Sequence, residues 1–567
     1  MHEGDARRTR GRSRRGAATA AILLAVALLA GACQSGVDTS TGSADVSVLP
    51  ENKGIVESSD TPVPGGKIVY GLVAETNGWN PGANQWAASG LQVAHALFDT
   101  LTAFDDQGTI HPFLAERYEA NADLTEWTFT LRAGITFSNG KPVTADAVVR
   151  NQRYLQKSSI TGGAYYYTES FTVRDERTFT VKTRQPWASF PMVLSTQVGV
   201  VADPDWLESN DGLRPIGTGP FVLNEWEVGH KLIANRNPNY WQHDAAGTAY
   251  PYLDTIEFRV LTDDDSRGAA LKASDIDVMQ SYSGLQVQQF QRLDDYQVLA
   301  DSKGEKEEMF IQLNVTAPPL DDPDARRALA YATDKAAVID VMTGGFNEPA
   351  NGPFAKGSPW FAASGYPQYD PAKAQELVEQ VKARHGGTFA FTFTGAAQPE
   401  STKLQQLLQQ QWQAVGIDVT LESVEQAALI IKVVSGQFQA TSWLQFGAPN
   451  PTLDSVWWAP EIVTTPPEFT LNFARNKDEQ IGAAMKQARA TEDPQAFREQ
   501  MAILQQRLAI DVPYIWLYHE EVGIIGSKRL VNLKNWKLPD GAAGIALNQG
   551  AHPLYQVWLR DDAKPKR

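Results

Sequence analysis

The side chains best equipped for chemistry are few and scattered. Eight histidines stand at positions 2, 95, 111, 230, 243, 385, 519 and 552, and none has a second histidine four residues away. The one cysteine, Cys33, has no histidine near it in the chain. Zinc ligation needs such neighbours, so no metal or cofactor is expected. Gly217-Thr218-Gly219-Pro220 begins like a phosphate-binding glycine loop, but its third glycine is missing and Pro220 has no N–H to offer a phosphate. It reads as a turn entering the strand Phe221-Val222-Leu223. No P-loop and no G-x-S-x-G elbow occurs. Asp263-Asp264-Asp265 and Asp321-Asp322 could serve glycoside hydrolysis or calcium binding, yet the flanking ligand spacing is absent, so they read as helix starts and solvated loop charges. No catalytic constellation emerges.

The aromatic residues point instead to binding. Trp79, Trp86, Trp443, Trp457 and Trp458 lie in loop-like segments rich in Asn, Gly and Pro, and Tyr165, Tyr166 and Tyr167 follow Gly162-Gly163. Aromatics on loops can wall a cleft for an apolar or mixed ligand, although ordinary core packing uses the same residues. Clustering beside Gly and Asn favours the cleft for Trp86, Tyr166 and Trp443.

The elements that must hold such a cleft follow from periodicity. Lys67–Val73, Glu126–Arg132, Thr178–Lys182 and Thr255–Val260 alternate like strands, as do Thr388–Thr394 and Ile417–Leu421. Asp370-Pro371 opens a helix to Ala383, stopped by Gly386-Gly387. Ser401 is expected to cap a helix running to Val415, and Asp493-Pro494 opens another through Leu508. Strand, helix, strand between Thr388 and Leu421 is a βαβ unit and implies parallel pairing. A body of about 500 residues implies two or three domains.

The N-terminus sets the compartment. Six arginines between positions 7 and 15 precede an apolar run from Ala17 to Leu29, which ends in Ala30-Gly31-Ala32-Cys33. A basic start, a short apolar core and small residues make a secretory signal, too short to span a bilayer that needs roughly 20 apolar residues. Cys33 at this place resembles the lipobox of bacterial lipoproteins, with Ala30 where leucine is usual. The resemblance implies a signal peptide over 1–32 and lipidation at Cys33. Ser13-Arg14-Arg15 leaves twin-arginine export open beside the general route. Residues 33–65, rich in Gly, Ser, Asp, Thr and Pro, read as a disordered tether. The full chain holds 50 basic and 66 acidic residues. Without residues 1–32, which carry six Arg, Glu3 and Asp5, it holds 44 and 64, a net of −20. Such acidity argues against nucleic acid as a partner.

Four segments together resemble the oligopeptide, dipeptide and nickel importer-binding proteins, the family 5 extracytoplasmic solute-binding proteins. They are Glu126–Val148, Gly217–Trp241, Leu313–Lys335 with Arg326-Arg327-Ala328-Leu329, and Tyr369-Asp370-Pro371-Ala372-Lys373-Ala374. The resemblance implies an α/β, periplasmic-binding-protein-like fold, two α/β lobes with a hinge plus an extra β-rich domain. Domain I would use 66–108, 202–308 and 510–567, domain II 109–201, and domain III 309–509. It implies a monomeric, lipid-anchored receptor on the outer side of the cell membrane, which closes on a peptide or peptide-like solute and hands it to ABC permease and ATPase subunits. A non-peptide solute (a glycoconjugate, an opine-like compound or a metal chelate) and a regulatory lipoprotein keeping the fold are the alternatives. Ligand contacts would come from Asn84, Gln85, Trp86 and Ala88, from Tyr165, Tyr166 and Tyr167, and from the segment of Trp443. Peptide binders carry an aspartate three residues after that tryptophan. Here Phe446 stands there, with Asn450 where Asp-Pro is often seen, which speaks against free-amino dipeptides and leaves room for blocked peptides, a non-peptide solute or an anchor placed elsewhere.

Overall fold

Alternating β-branched and aromatic positions build three larger sheets, accompanied among the described residues by two two-stranded ones. The computed structural model describes residues 52–57, 61–84, 86–158, 160–209, 211–300, 306–445, 450–520 and 522–560. The signal, Cys33, Gln85 and Phe446 lie outside the described residues. The first sheet has eight strands, in the order Asn52–Lys53, Tyr296–Leu299, Gly523–Ser527, Val278–Ser281, Lys67–Leu72, Thr255–Val260, Lys231–Arg236 and Phe221–Glu227. Only Lys67–Leu72 pairs in parallel, with a neighbour on each side. The second has six strands, in the order Glu348–Pro349, Tyr514–Glu520, Glu307–Leu313, Ala440–Gln445, Ala390–Ala396 and Asp418–Val424. The third is a four-stranded antiparallel sheet over 115–183. The fold is the expected α/β arrangement, and among the described residues no helix is long and apolar enough to cross a membrane.

The βαβ unit is present: Ala390–Ala396 and Asp418–Val424 pair in parallel around the helix Pro399–Ala414. That helix starts earlier than expected. Pro399 takes its first turn and Gln398 precedes it, so Ser401 lies inside the helix rather than capping it. The side chain of Asp370 accepts from Lys373 N at 3.0 Å, and that of Asp493 from Gln495 N at 2.9 Å, as the sequence indicated. Asp263 and Asp322 cap helices in the same way. Gly217–Pro220 is a turn into the strand Phe221–Glu227, packed on the end of the helix Ala88–Leu97. A Cβ on Gly219 would stand 2.3 Å from the Leu97 carbonyl carbon, so no larger residue fits.

Two expectations move. Residues 52–65 were placed in the tether, yet Asn52 and Lys53 pair with Leu299 and Val298 at the edge of the eight-stranded sheet. The unpaired edge there offers main-chain groups that composition alone does not reveal. The sheet change also falls elsewhere than at 308/309 and 509/510. Glu307–Leu313 and Tyr514–Glu520 both belong to the six-stranded sheet, so the chain passes between the sheets after Leu299 and again after Glu520.

Candidate functional site

A cavity of about 190 Å³ lies where the three sheet-bearing parts meet. Trp86 and Leu91 wall it at the entry to the helix Ala88–Leu97, Ala164 and Tyr167 close it from the four-stranded part, and Asp454 and Trp457 face it from the six-stranded part. That volume has room for on the order of a dozen waters.

Trp86 is a fixed wall. It is 1% exposed, donates its indole N–H to Gly78 O at 3.1 Å and stacks on Phe98 at 5.8 Å. Asn84 holds the loop ahead of it: its amide donates to Asn77 Oδ1 at 2.8 Å, and its carbonyl accepts from Gln197 Nε2 at 2.8 Å. Ala88 is buried, with its carbonyl accepting from Gln280 Nε2 at 3.1 Å. Neither Asn84 nor Ala88 lines the cavity.

The three tyrosines separate by role. Tyr165 is buried in the core of the four-stranded part, with its hydroxyl on Gln152 Oε1 at 2.7 Å and Val198 O at 2.8 Å. It turns inward because a single turn of 3-10 helix, Gly162–Tyr165, ends on it. Tyr166 is exposed, and its hydroxyl donates to Glu461 O at 3.4 Å. Tyr167 reaches the cavity and donates to the Glu461 carboxylate, while the Arg489 guanidinium lies 4.0 Å from its ring centre. Ser189 Oγ and Thr452 Oγ1, 2.6 Å apart, and Ala188 N donating to Arg489 O at 2.6 Å, complete this seam between the parts.

Trp443 packs instead of lining the cavity. Its ring lies 5.3 Å from that of Phe473, and its cross-strand partner is Phe310. Asn450 shapes the loop that carries the far wall: Oδ1 accepts from Thr452 N at 2.9 Å and from Thr452 Oγ1 at 2.6 Å. That loop leads into Asp454, just before the short helix Ser455–Trp458.

Sequence reasoning did not single out Asp454, Gln445, Gln197 or Glu308. Asp454 could have been found as the acid three residues ahead of the pair Trp457-Trp458. Glu308 carried one faint signal, an acidic pair opening the apolar strand Glu307–Leu313. Burial, and then the charges of Asp454 and Glu307, push the Glu308 carboxyl well above the usual range. Among the described residues no group of histidine, cysteine and acidic side chains could hold a metal ion.

A cavity between lobes that two chain passages join is the layout of a receptor that closes on its ligand. Residues 109–460 match the family described as bacterial extracellular solute-binding proteins, family 5 Middle. The chain belongs to that family. Over 469 residues it is 27% identical to the glutathione-binding protein GsiB of Salmonella choleraesuis (strain SC-B67), covering 79% of this chain and 88% of the relative. GsiB of Escherichia coli O6:K15:H31 is 26% identical over 465 residues, with the same coverage. Among solved structures, the protein AgaA of A. tumefaciens R10 in complex with agropinic acid superposes with a TM-score of 0.75 at 22% identity, covering 87% of this chain and 99% of that one. The oligopeptide-binding protein AppA of Bacillus subtilis, in complex with a nonapeptide, gives 0.73 at 21% identity, covering 88% and 100%. These likenesses confirm the fold of a family 5 binding protein.

Proposed function

We propose that the protein is the solute-capturing component of an ABC importer and takes a peptide or peptide-like solute into the cavity between Trp86, Tyr167 and Trp457. The carrying observation is that cavity, walled by all three sheet-bearing parts and bridged by Tyr167 and Glu461. Its volume suits a solute about the size of a di- or tripeptide. The names of its relatives, a glutathione-binding protein and an oligopeptide-binding protein, support the same class. Capture proceeds without chemistry: the solute binds the open form, its contacts favour the closed form, and the closed form is handed to permease and ATPase subunits. A lipid on Cys33 keeps the receptor, as a monomer, at the membrane that holds them. The test is a titration of glutathione and short peptides followed by tryptophan fluorescence and small-angle scattering. A saturable signal with a smaller radius of gyration supports the reading. No binding and no compaction with any of them would sink it.

A further inference from the structure

Glu307 opens the strand by which the chain enters the six-stranded sheet, and Glu520 ends the strand by which it leaves. The two stand opposite each other in the antiparallel ladder, so their side chains share one face of the sheet. Both therefore sit where the chain passes to and from the eight-stranded sheet. That second sheet brings Tyr282 to the same place. Tyr282 follows Ser281, which pairs with Gly523 where the chain re-enters the eight-stranded sheet, and the charges of Glu307 and Glu520 act on its hydroxyl. Two carboxyls of one lobe and a phenol of the other thus meet at the junction of the lobes.

Glu307 is 4% exposed, and neither of its carboxyl oxygens has a hydrogen-bond partner among the described residues. Glu520 accepts from Asn347 Nδ2 at 3.0 Å, and Asn347 Oδ1, a further acceptor, has no partner among the described residues. The charge that acts on Glu307 is that of Glu520, of like sign. Lys306, the adjacent cation, acts instead on His519, which pairs with Glu308 on the opposite face of the sheet. Tyr282 stays a neutral phenol, because burial and then the charges of Glu307, Tyr70 and Glu520 raise its pKa. Burial, and then the charge of Glu520, hold the Glu307 carboxyl well above the usual range. An unpaired carboxylate is costly in such a place, whereas the protonated form carries a donor into a neighbourhood of acceptors.

We propose that Glu307 and Glu520 form a proton switch at the junction of the lobes, in which a proton on Glu307 holds the closed arrangement and its loss favours opening. The sign follows from burial by both lobes. When the lobes part, water reaches the carboxyl and its charged form is no longer penalised. Closure therefore takes up a proton, and the closed population falls as pH rises through the raised value. The proposal goes beyond solute capture, and its test needs no solute.

The experiment is small-angle scattering of the ligand-free chain from about pH 6 to about pH 9, on the wild type, Glu307→Gln and Glu520→Gln. Circular dichroism at each pH confirms that the chains are folded. Expected is a radius of gyration that grows with pH in the wild type and stays small throughout in Glu307→Gln. In Glu520→Gln the like charge is gone and Glu307 ionises more readily, so the midpoint of opening should move down by about one pH unit. A wild type whose shape does not change with pH overturns the proposal, and this comparison needs no variant. So does a folded Glu307→Gln chain that opens with pH as the wild type does. If Glu307→Gln does not fold, Glu520→Gln decides: a lowered midpoint supports the switch, and an unmoved one overturns it. With no solute present, failure of the capture reading would leave each of these outcomes as it stands.

Discussion

Tyr167 and Glu461 meet across the cleft, 294 residues apart in the chain, with the phenol of one donating to the carboxylate of the other. Arg489, fully buried beneath them, lies over the Tyr167 ring and 3.7 Å from Glu461. Tyr167→Phe removes the donor and keeps the ring. The bond to a charged, half-exposed acceptor contributes about 1 kcal/mol to the closed arrangement. Affinity for the solute should therefore drop about fivefold, with scattering showing a more open average shape. Unchanged affinity and shape would mean that the seam holds without this bond.

Trp457 and Trp443 are expected to behave differently on replacement by alanine. Trp457 lines the cavity, so Trp457→Ala should weaken solute binding by more than about 1 kcal/mol. Trp443 packs on Phe473, so Trp443→Ala should lower unfolding free energy by about 2 kcal/mol and leave binding nearly intact. Calorimetric titration and urea melts of both variants check the contrast.

Acid should destabilise the chain through three buried histidines. Burial pulls His519 down to about 3, and His95 and His552 down to about 4. Their unfolded value lies near 6.5, so the stability they contribute is full above that and lost as pH falls through about 4 and 3. Each accounts for on the order of 3 kcal/mol at the acid end. Melting temperature should fall steadily between pH 6.5 and 4, and His519→Asn should flatten that slope. An identical slope in the variant would remove His519 from the account.

The opposite sign applies to Glu308. Its folded pKa is raised, so its contribution is present below the unfolded value near 4.3 and lost as pH rises. In the ligand-free chain, Glu308→Gln should raise the melting temperature at pH 8 and change it little at pH 4. A variant less stable than wild type at pH 8 would show that the acid is satisfied in the free protein.

Cys33→Ala should release the chain from membranes into the soluble fraction. Cell fractionation with immunoblotting reads this directly, and continued membrane retention would count against lipidation.

Much of the scaffold was legible because local rules and tertiary packing agree there. Asp370-Pro371 and Asp493-Pro494 start helices by local capping, and Ala390–Ala396 pairs in parallel with Asp418–Val424 because the helix between them leaves a crossover as the connection. The site was harder to read. Tyr165 and Tyr167 are two residues apart on the same turn, yet one fills a core and the other a cleft. That difference is set by the packing around Gln152 and Val198, which no local pattern encodes. Trp443 follows the same logic, since Phe473, thirty residues on, decides where its ring goes. Glu308 was hidden for another reason. A strand's polar residue normally marks its wet face, and here that face meets Pro353, Trp457 and Phe473, which the chain brings back over the same sheet.

The two passages between the large sheets bear on how the chain matures. Gly523–Ser527 sits between Tyr296–Leu299 and Val278–Ser281, and Tyr514–Glu520 sits between Glu307–Leu313 and Glu348–Pro349. Both sheets therefore keep an open slot until the closing stretch of the polypeptide has been made. For an extracellular binding protein this works as a timer: the nascent chain stays short of a finished lobe, and thus threadable, until nearly all of it has left the ribosome.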